Sequence, residues 1–328
     1  MKDIITRKEG CTGRATLCRP KALNALTKEM SIALEQALDA WRDDPNVELV
    51  ILDAQGEKAF CAGGDIAELY ERGTAGDFAF GQQFWRQEYR LNLKIAQYPK
   101  PVVSFMQGFT MGGGVGVGCH ASHRIVGETS KLAMPECGIG LMPDVGGTFL
   151  LAHAPDELGV FLGLTGTQMT GWDGVNASFA DHYVPEGNWE ELKKNIVETG
   201  DLSSILSAAS TRSTGQIEAT FEGIHSCFEH DSLNDIVAAV AENPATLARS
   251  ALKRLLKGAP LAMACALTAI RKAKSAPLEQ ALRTEFRFSY RCQSQGDFLE
   301  GIRAQIIDRD FNPRWKQVTE SICSGFER

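Results

Sequence analysis

Hydrophobic and polar positions follow two rhythms along the chain. Residues 1–187 mix short apolar runs with helical stretches, whereas from 188 onward apolar residues recur mostly at helical spacing. Arg14–Leu17 reads as a short strand ending at Pro20. The stretch 24–41 places Met30, Ala33, Leu34, Ala37, Leu38 and Trp41 on one helical face, and the polar run 43–46 ends it. Val47–Leu52 is an apolar run interrupted only by Glu48, the pattern of a strand covered on both faces. Segments 66–72 and 78–97 predict helices, the second stopped by Pro99 and Pro101, and 102–106 predicts another buried strand. Strand, helix and strand in alternation argue for an α/β fold built on crossovers. The second half predicts helices at 190–198, 233–241, 245–257, 261–274, 278–294 and 297–307, with Pro244, Gly258, Pro260, Pro277 and Gly296 between several of them. The expected organisation is an α/β core over 1–187 followed by a helical region over 188–328.

Composition narrows the class. Of 328 residues, 44% are hydrophobic and 23% charged, enough apolar material for a real core. The net charge of −7 weighs against a nucleic-acid partner, which usually calls for a basic excess. No apolar run reaches the roughly 18 residues of a membrane span. The N-terminus shows neither a signal core nor an Arg/Ser-rich amphipathic stretch, so a cytoplasmic setting is expected. Nine cysteines, the last at Cys323, include no C-x-x-C pair, and six histidines form no H-E-x-x-H motif. Neither a disulfide framework nor a metal site is expected.

Glycine carries the first chemical signal, with 24 of 32 glycines lying in residues 1–186. Two glycine-rich loops each follow an apolar run: KAFCAGGDI at 58–66 and GFTMGGGVGVG at 108–118. Without a Cβ, backbone N–H groups can approach a ligand closely, and a helix start leaves such groups unpaired. Two such loops side by side could place two amides on one carbonyl oxygen, the arrangement of an oxyanion hole. No phosphate-binding G-x-x-x-x-G-K-[ST] string occurs. The partial G-x-G-x-x-G match fails because Cys119 stands where the last glycine belongs. The competing reading is that the glycines serve only close helix–strand packing.

A third segment, MPECGIGLMPDVGG at 134–147, sets Glu136 and Asp144 eight residues apart among apolar neighbours. Carboxyls in such surroundings tend to hold their protons tightly, as a general base requires. Asp144, just before Val-Gly-Gly, could instead cap a helix. Cys61 and Cys137 lie in these loops with no histidine nearby in sequence, and read as small packing residues.

Together these strings resemble the crotonase (enoyl-CoA hydratase/isomerase) superfamily, and within it the 3-hydroxyisobutyryl-CoA hydrolase branch. The likeness runs from GCTGRATLCRPKALNALT at 10–27 to GDFLEGIRAQIIDRDFNPRW at 296–315, nearly the whole chain. It implies a ββα spiral with two roughly perpendicular sheets and a helical C-terminal region. An acyl-CoA thioester would bind with its carbonyl oxygen on the amides of Gly64 and Gly113, and Gly64, Asp65, Ile66 and Ala67 would line the acyl-CoA site. Glu136 would attack the thioester or activate water, and Asp144 would hold the substrate's 3-hydroxyl. Hydratases of the superfamily carry a glutamate two residues after the glycine triplet, where this chain has Gly116; the hydrolase branch also has glycine there. The resemblance makes Glu88 a substrate contact, although pattern alone reads it as a solvated helix face. Cys18 stands where the superfamily usually has asparagine. Lys21 and Lys58 lie near the loops, without an assigned role on the CoA phosphates. No metal, redox cofactor, nucleic acid or membrane is implied; CoA is part of the substrate, and trimers or hexamers are common in the superfamily. An enoyl-CoA hydratase or isomerase acting on another acyl-CoA is the rival enzyme, and a non-catalytic acyl-CoA binding subunit the rival outside catalysis.

Overall fold

The computed structural model describes residues 2–316, so Cys323 lies outside the described residues. The chain divides into two compact units, the first made of Met1–Gly64, Arg90–Leu132 and Met169–Gln216. The described strands lie there, save for the last residue of β8. They are β1 (Ile4–Glu9), β2 (Thr12–Leu17), β3 (Leu49–Ala54), β4 (Ala59–Cys61), β5 (Val102–Phe105), β6 (Phe109–Met111), β7 (His123–Val126), β8 (Lys131–Ala133), β9 (Met169–Thr170) and β10 (His182–Tyr183).

The larger sheet has the order β1-β2-β3-β5-β7-β10, and only its β1–β2 pair is antiparallel. Parallel neighbours need crossovers, which explains why its central strands read as continuous apolar runs. Leu49, Ile51, Val103, Phe105 and Ile125 share a core with Trp189, Leu192 and Ile196 of the helix Trp189–Thr199. Trp189 meets Phe105 edge-on, and its indole N–H donates to the Val184 carbonyl at 2.9 Å. The smaller sheet has the order β4-β6-β8-β9.

Two differences from the sequence pattern have clear causes. The first helix runs Lys28–Arg42, starting four residues after Asn24, because Leu23 and Asn24 adopt left-handed φ values of 51° and 55°. Asn24 is buried there and its amide donates to the carbonyls of Gln55 and Ala59, while Thr27 caps the helix by accepting from the Met30 N–H. Strand β1 escaped the pattern because, past Ile4, its side chains are polar or only partly covered, as at a sheet edge.

The second unit comprises Asp65–Tyr89, Ala133–Gln168 and Ile217–Arg328, and it is helical. Expected helices appear as Ile66–Thr74, Leu233–Glu242, Thr246–Leu255, Pro260–Ala273 and Leu278–Cys292. The stretch 297–307 is a short helix, Phe298–Ile302, followed by a wider turn, Arg303–Ile307. Among the described residues no helix is long and apolar enough to cross a membrane.

Candidate active site

The two glycine loops touch within the first unit. A Cβ on Gly114 would stand 2.0 Å from the Cys61 carbonyl oxygen, and one on Gly63 would stand 3.6 Å from that of Met111. Gly112 takes φ 47° and ψ −118°, open in practice only to glycine, and turns β6 into the short helix Gly113–Gly118. Gly113 is the first residue of that helix, so its N–H has no partner within it. Gly64 pairs with Leu26 in an isolated bridge whose bond runs from the Leu26 N–H to the Gly63 carbonyl at 2.8 Å, leaving the Gly64 amide out of it. Packing accounts for Gly114, as the bland reading holds. It does not account for the turn at Gly112.

Four buried carboxyls gather in the second unit. Glu88, Glu136, Asp144 and Glu285 are 2%, 4%, 4% and 0% exposed. Asp144 Oδ2 accepts from the Tyr89 hydroxyl at 2.7 Å. Glu136 opens the tight turn Glu136–Ile139, and its Oε2 has no hydrogen-bond partner; nor has Glu88 Oε1. Among the described residues none of the four makes an ion pair. Burial therefore dominates their titration and favours the neutral forms. It lifts Glu136 well above the ordinary carboxyl range, with Asp144 adding repulsion, and does the same for Glu88. Asp144 is pushed up to about 7 by burial, against the opposing Tyr89 bond. Glu285 also reaches about 7 through burial, against the bonds it accepts from Thr148 and Gly146.

The expected residues are thus found in two groups: Gly64 and Gly113 in the first unit, Glu88, Glu136 and Asp144 in the second. Asp65, Ile66 and Ala67 begin the second unit at the helix Ile66–Thr74, Asp65 and Ile66 half-buried and Ala67 exposed. Two readings are corrected. Glu88 is not on a solvated face, because Phe84, Trp85, Glu88, Leu91 and Ile95 follow the spacing of one buried stripe. Asp144 is not a helix cap: the helix Gly147–Ala152 has Gly146 at its cap position, and Asp144 faces Tyr89 instead. Tyr89 and Glu285 are additions. The Glu88 stripe could have flagged Tyr89's neighbourhood, but no local signal pointed to Glu285. Lys21 and Lys58 are exposed. Cys137 is buried, and burial pushes its thiol well above the usual range, consistent with a packing role. Cys18 donates its thiol to the Thr16 carbonyl at 3.2 Å, a local turn contact. Among the described residues no group of three or more His, Cys, Asp or Glu could hold a metal ion.

Touching glycine loops and a nest of buried carboxyls, on a frame with two sheets and many helices, define a protein of the crotonase fold. Residues 12–323 match the family Enoyl-CoA hydratase/isomerase, and the chain belongs to it. It is similar to proteins named 3-hydroxyisobutyryl-CoA hydrolase, mitochondrial. The Gallus gallus protein is 36% identical over 99% of this chain and 87% of its own length. That of Homo sapiens is 36% identical over 97% of this chain and 86% of its own. Among solved structures, an enoyl-CoA hydratase from Rhodobacter sphaeroides 2.4.1 superposes with a TM-score of 0.94 at 51% identity, covering 99% of this chain and 97% of that one. A carnitinyl-CoA dehydratase from Mycobacterium thermoresistibile gives 0.95 at 39% identity, covering 100% and 97%.

Proposed function

We propose that this protein is a thioester hydrolase that cleaves 3-hydroxyisobutyryl-CoA to 3-hydroxyisobutyrate and CoA, a step of valine breakdown. The observation that carries the reading is Glu136: a buried carboxyl with one oxygen unpartnered, beside a second carboxyl, Asp144. The relatives named hydrolases support it across the whole chain. The solved relatives called hydratase and dehydratase favour a second reading, enoyl-CoA hydration. Gly116 weighs against that one, since it offers no side chain where hydratases of the superfamily carry a glutamate.

The amides of Gly64 and Gly113 stabilise the thioester oxygen as it gains charge, each donor lowering the barrier by about 3–4 kcal/mol. Glu136 takes a proton from water as the water oxygen bonds to the acyl carbon. The C–S bond breaks, and the CoA sulfur leaves with a proton. In the variant route the Glu136 carboxylate itself bonds to the acyl carbon, CoA leaves, and water hydrolyses the mixed anhydride. Single turnover in ¹⁸O-water separates them, because anhydride hydrolysis at the enzyme carbonyl leaves label on Glu136. Asp144, with its pKa near 7, accepts from or donates to the 3-hydroxyl and assists the proton transfers. Glu88 adds a further substrate contact. A site built to bond that hydroxyl rejects acyl groups lacking it, by up to roughly 10⁴-fold. The chemistry calls for no metal or redox cofactor.

Free-thiol release on 3-hydroxyisobutyryl-CoA, 3-hydroxypropionyl-CoA and crotonyl-CoA tests the reading. Release from hydroxyacyl esters alone, lost in Glu136→Ala and Asp144→Asn, is the expected result. Loss of the enoyl absorbance of crotonyl-CoA without thiol release would return the protein to the hydratases. Binding without turnover of any ester would make it an acyl-CoA binding subunit. The hydrolase relatives are mitochondrial by name. Light scattering checks the trimer or hexamer that the family likeness implies.

A further inference from the structure

Glu285 comes from the helix Leu278–Cys292, far along the chain from Asp144, and is 0% exposed. Both of its oxygens are engaged at the loop that follows Asp144. Oε2 accepts from the Gly146 N–H at 2.7 Å; Oε1 accepts from the Thr148 N–H at 3.0 Å and the Thr148 hydroxyl at 2.5 Å. That loop is strained. Val145, a β-branched residue, has φ 54°, and Gly146 follows at φ 79°. The turn is closed by the Gly147 N–H donating to the Asp144 carbonyl at 2.6 Å. The helix that carries Glu285 also holds the other end of the contact. Phe286 meets the Tyr89 ring edge-on at 6.1 Å.

We propose that Glu285 is a positioning residue for the reaction: by clamping the backbone of Gly146 and Thr148 it holds Val145 in its strained conformation and thereby aims the Asp144 carboxyl at the Tyr89 hydroxyl. A serine or aspartate at position 146 could reach the Thr148 amide but not its own N–H, and the left-handed φ of 79° there disfavours either residue. A buried acid from a distant helix, set beside other buried acids, is an unfavourable way merely to cap six residues. Strain of this kind persists where the surroundings over-determine it, and it gathers at functional sites. The titratable groups facing Glu285 are Asp144 on the loop, Glu136 on its turn and Tyr89 on the helix Phe78–Ala96, with Cys292 of its own helix facing Asp144.

The proposal rests on the thioesterase reading for its kinetic test, so a structural readout accompanies it. In kcat and KM measured against pH, Glu285→Gln is expected to lower kcat by about 10–100-fold with KM little changed, as for a misplaced catalytic geometry. A glutamine keeps the size but turns an NH₂ toward one of the donors. It also removes a negative charge near Glu136, so the acidic limb of the profile moves to lower pH. Thr148→Val, which deletes one donor, lowers kcat by a smaller factor, and Thr148→Ser restores it. In a crystal structure of Glu285→Gln, Val145 leaves the left-handed region and the Tyr89–Asp144 contact opens beyond about 3.5 Å. The proposal is overturned if the folded variant keeps its kcat within about threefold, or if activity falls only with the folded fraction and the acidic limb stays put. Should Glu285→Gln not fold, equal kcat in the two Thr148 variants overturns it. If the wild type releases no thiol, the hydrolase reading fails by itself, and the Val145 and Asp144 geometry of the variant decides the positioning role.

Discussion

Buried carboxyls serve two purposes in this molecule, and the contrast lies in their partners. In the first unit Asp53 is 3% exposed and Glu35 is 7% exposed. Asp53 accepts from Arg14 at 2.6 Å and Thr16 at 2.7 Å, with Lys193 at 3.5 Å. Glu35 is bracketed by Arg90 at 2.5 Å and Lys94 at 3.1 Å. In the second unit Glu88, Glu136, Asp144 and Glu285 are buried as deeply, but among the described residues none has a cation partner. A buried acid with a cation ties segments together. One without a cation is pushed toward its neutral form by burial, and Asp144 and Glu285 reach about 7. Burial alone does not tell the two apart; the neighbouring charge does.

That comparison can be broken most directly at Glu136. Glu136→Gln is expected to lower kcat by about 10²–10⁴-fold while leaving the melting temperature equal or higher, because it removes a buried acid that lacks a partner. Loss of both together would make the cluster structural, like Asp53. Asp53→Asn is expected to do the reverse, destabilising the fold by about 3 kcal/mol in urea unfolding because Arg14 is left half-buried without its main partner.

The pH dependence of stability sharpens the contrast further. Asp144 and Glu285 sit near 7 in the fold, above ordinary values of 3.8 and 4.5. Their folded forms bind protons more tightly than the unfolded chain does. The stability they contribute is complete below about pH 4 and is lost as pH rises through 7. Differential scanning calorimetry should show the melting temperature falling over that window from these groups, and Asp144→Asn should flatten the fall. Smallest of all, Gly114→Ala should destabilise by about 1–3 kcal/mol through its clash with the Cys61 carbonyl. Its effect should not vary between pH 5 and 8, roughly, since no carboxyl of the cluster is involved.

Much of this was legible in the chain. Leu49–Leu52 of the apolar stretch 47–52 became β3, buried on both faces, and most of the run 102–106 became β5. Glu136 and Asp144 stood out because each is an acid in an apolar, Gly/Pro-rich segment. Pattern alone reads Glu88 as solvated, because its charge outweighs its spacing, although Phe84, Trp85, Leu91 and Ile95 place it on a buried stripe. Short strands such as β9 and β10 are two residues long and give periodicity nothing to act on. Asp144, the nearest acid in sequence, is the local cap candidate for Gly147–Ala152, but the amides there are held by Glu285, 139 residues from Gly146.

By itself, then, the amino-acid order determined what acts over a few residues: strand runs, helix faces, the glycine turns and the acids set among apolar neighbours. Sterics and hydrophobic spacing are local properties, and they are written locally. Tertiary structure alone decided which buried acids received a cation and which did not. It also turned the Asp144 side chain to Tyr89 and brought Glu285 to the loop beyond it. A carboxyl's protonation depends on burial and on charges within a few ångströms, and those neighbours come from segments the chain order keeps far apart.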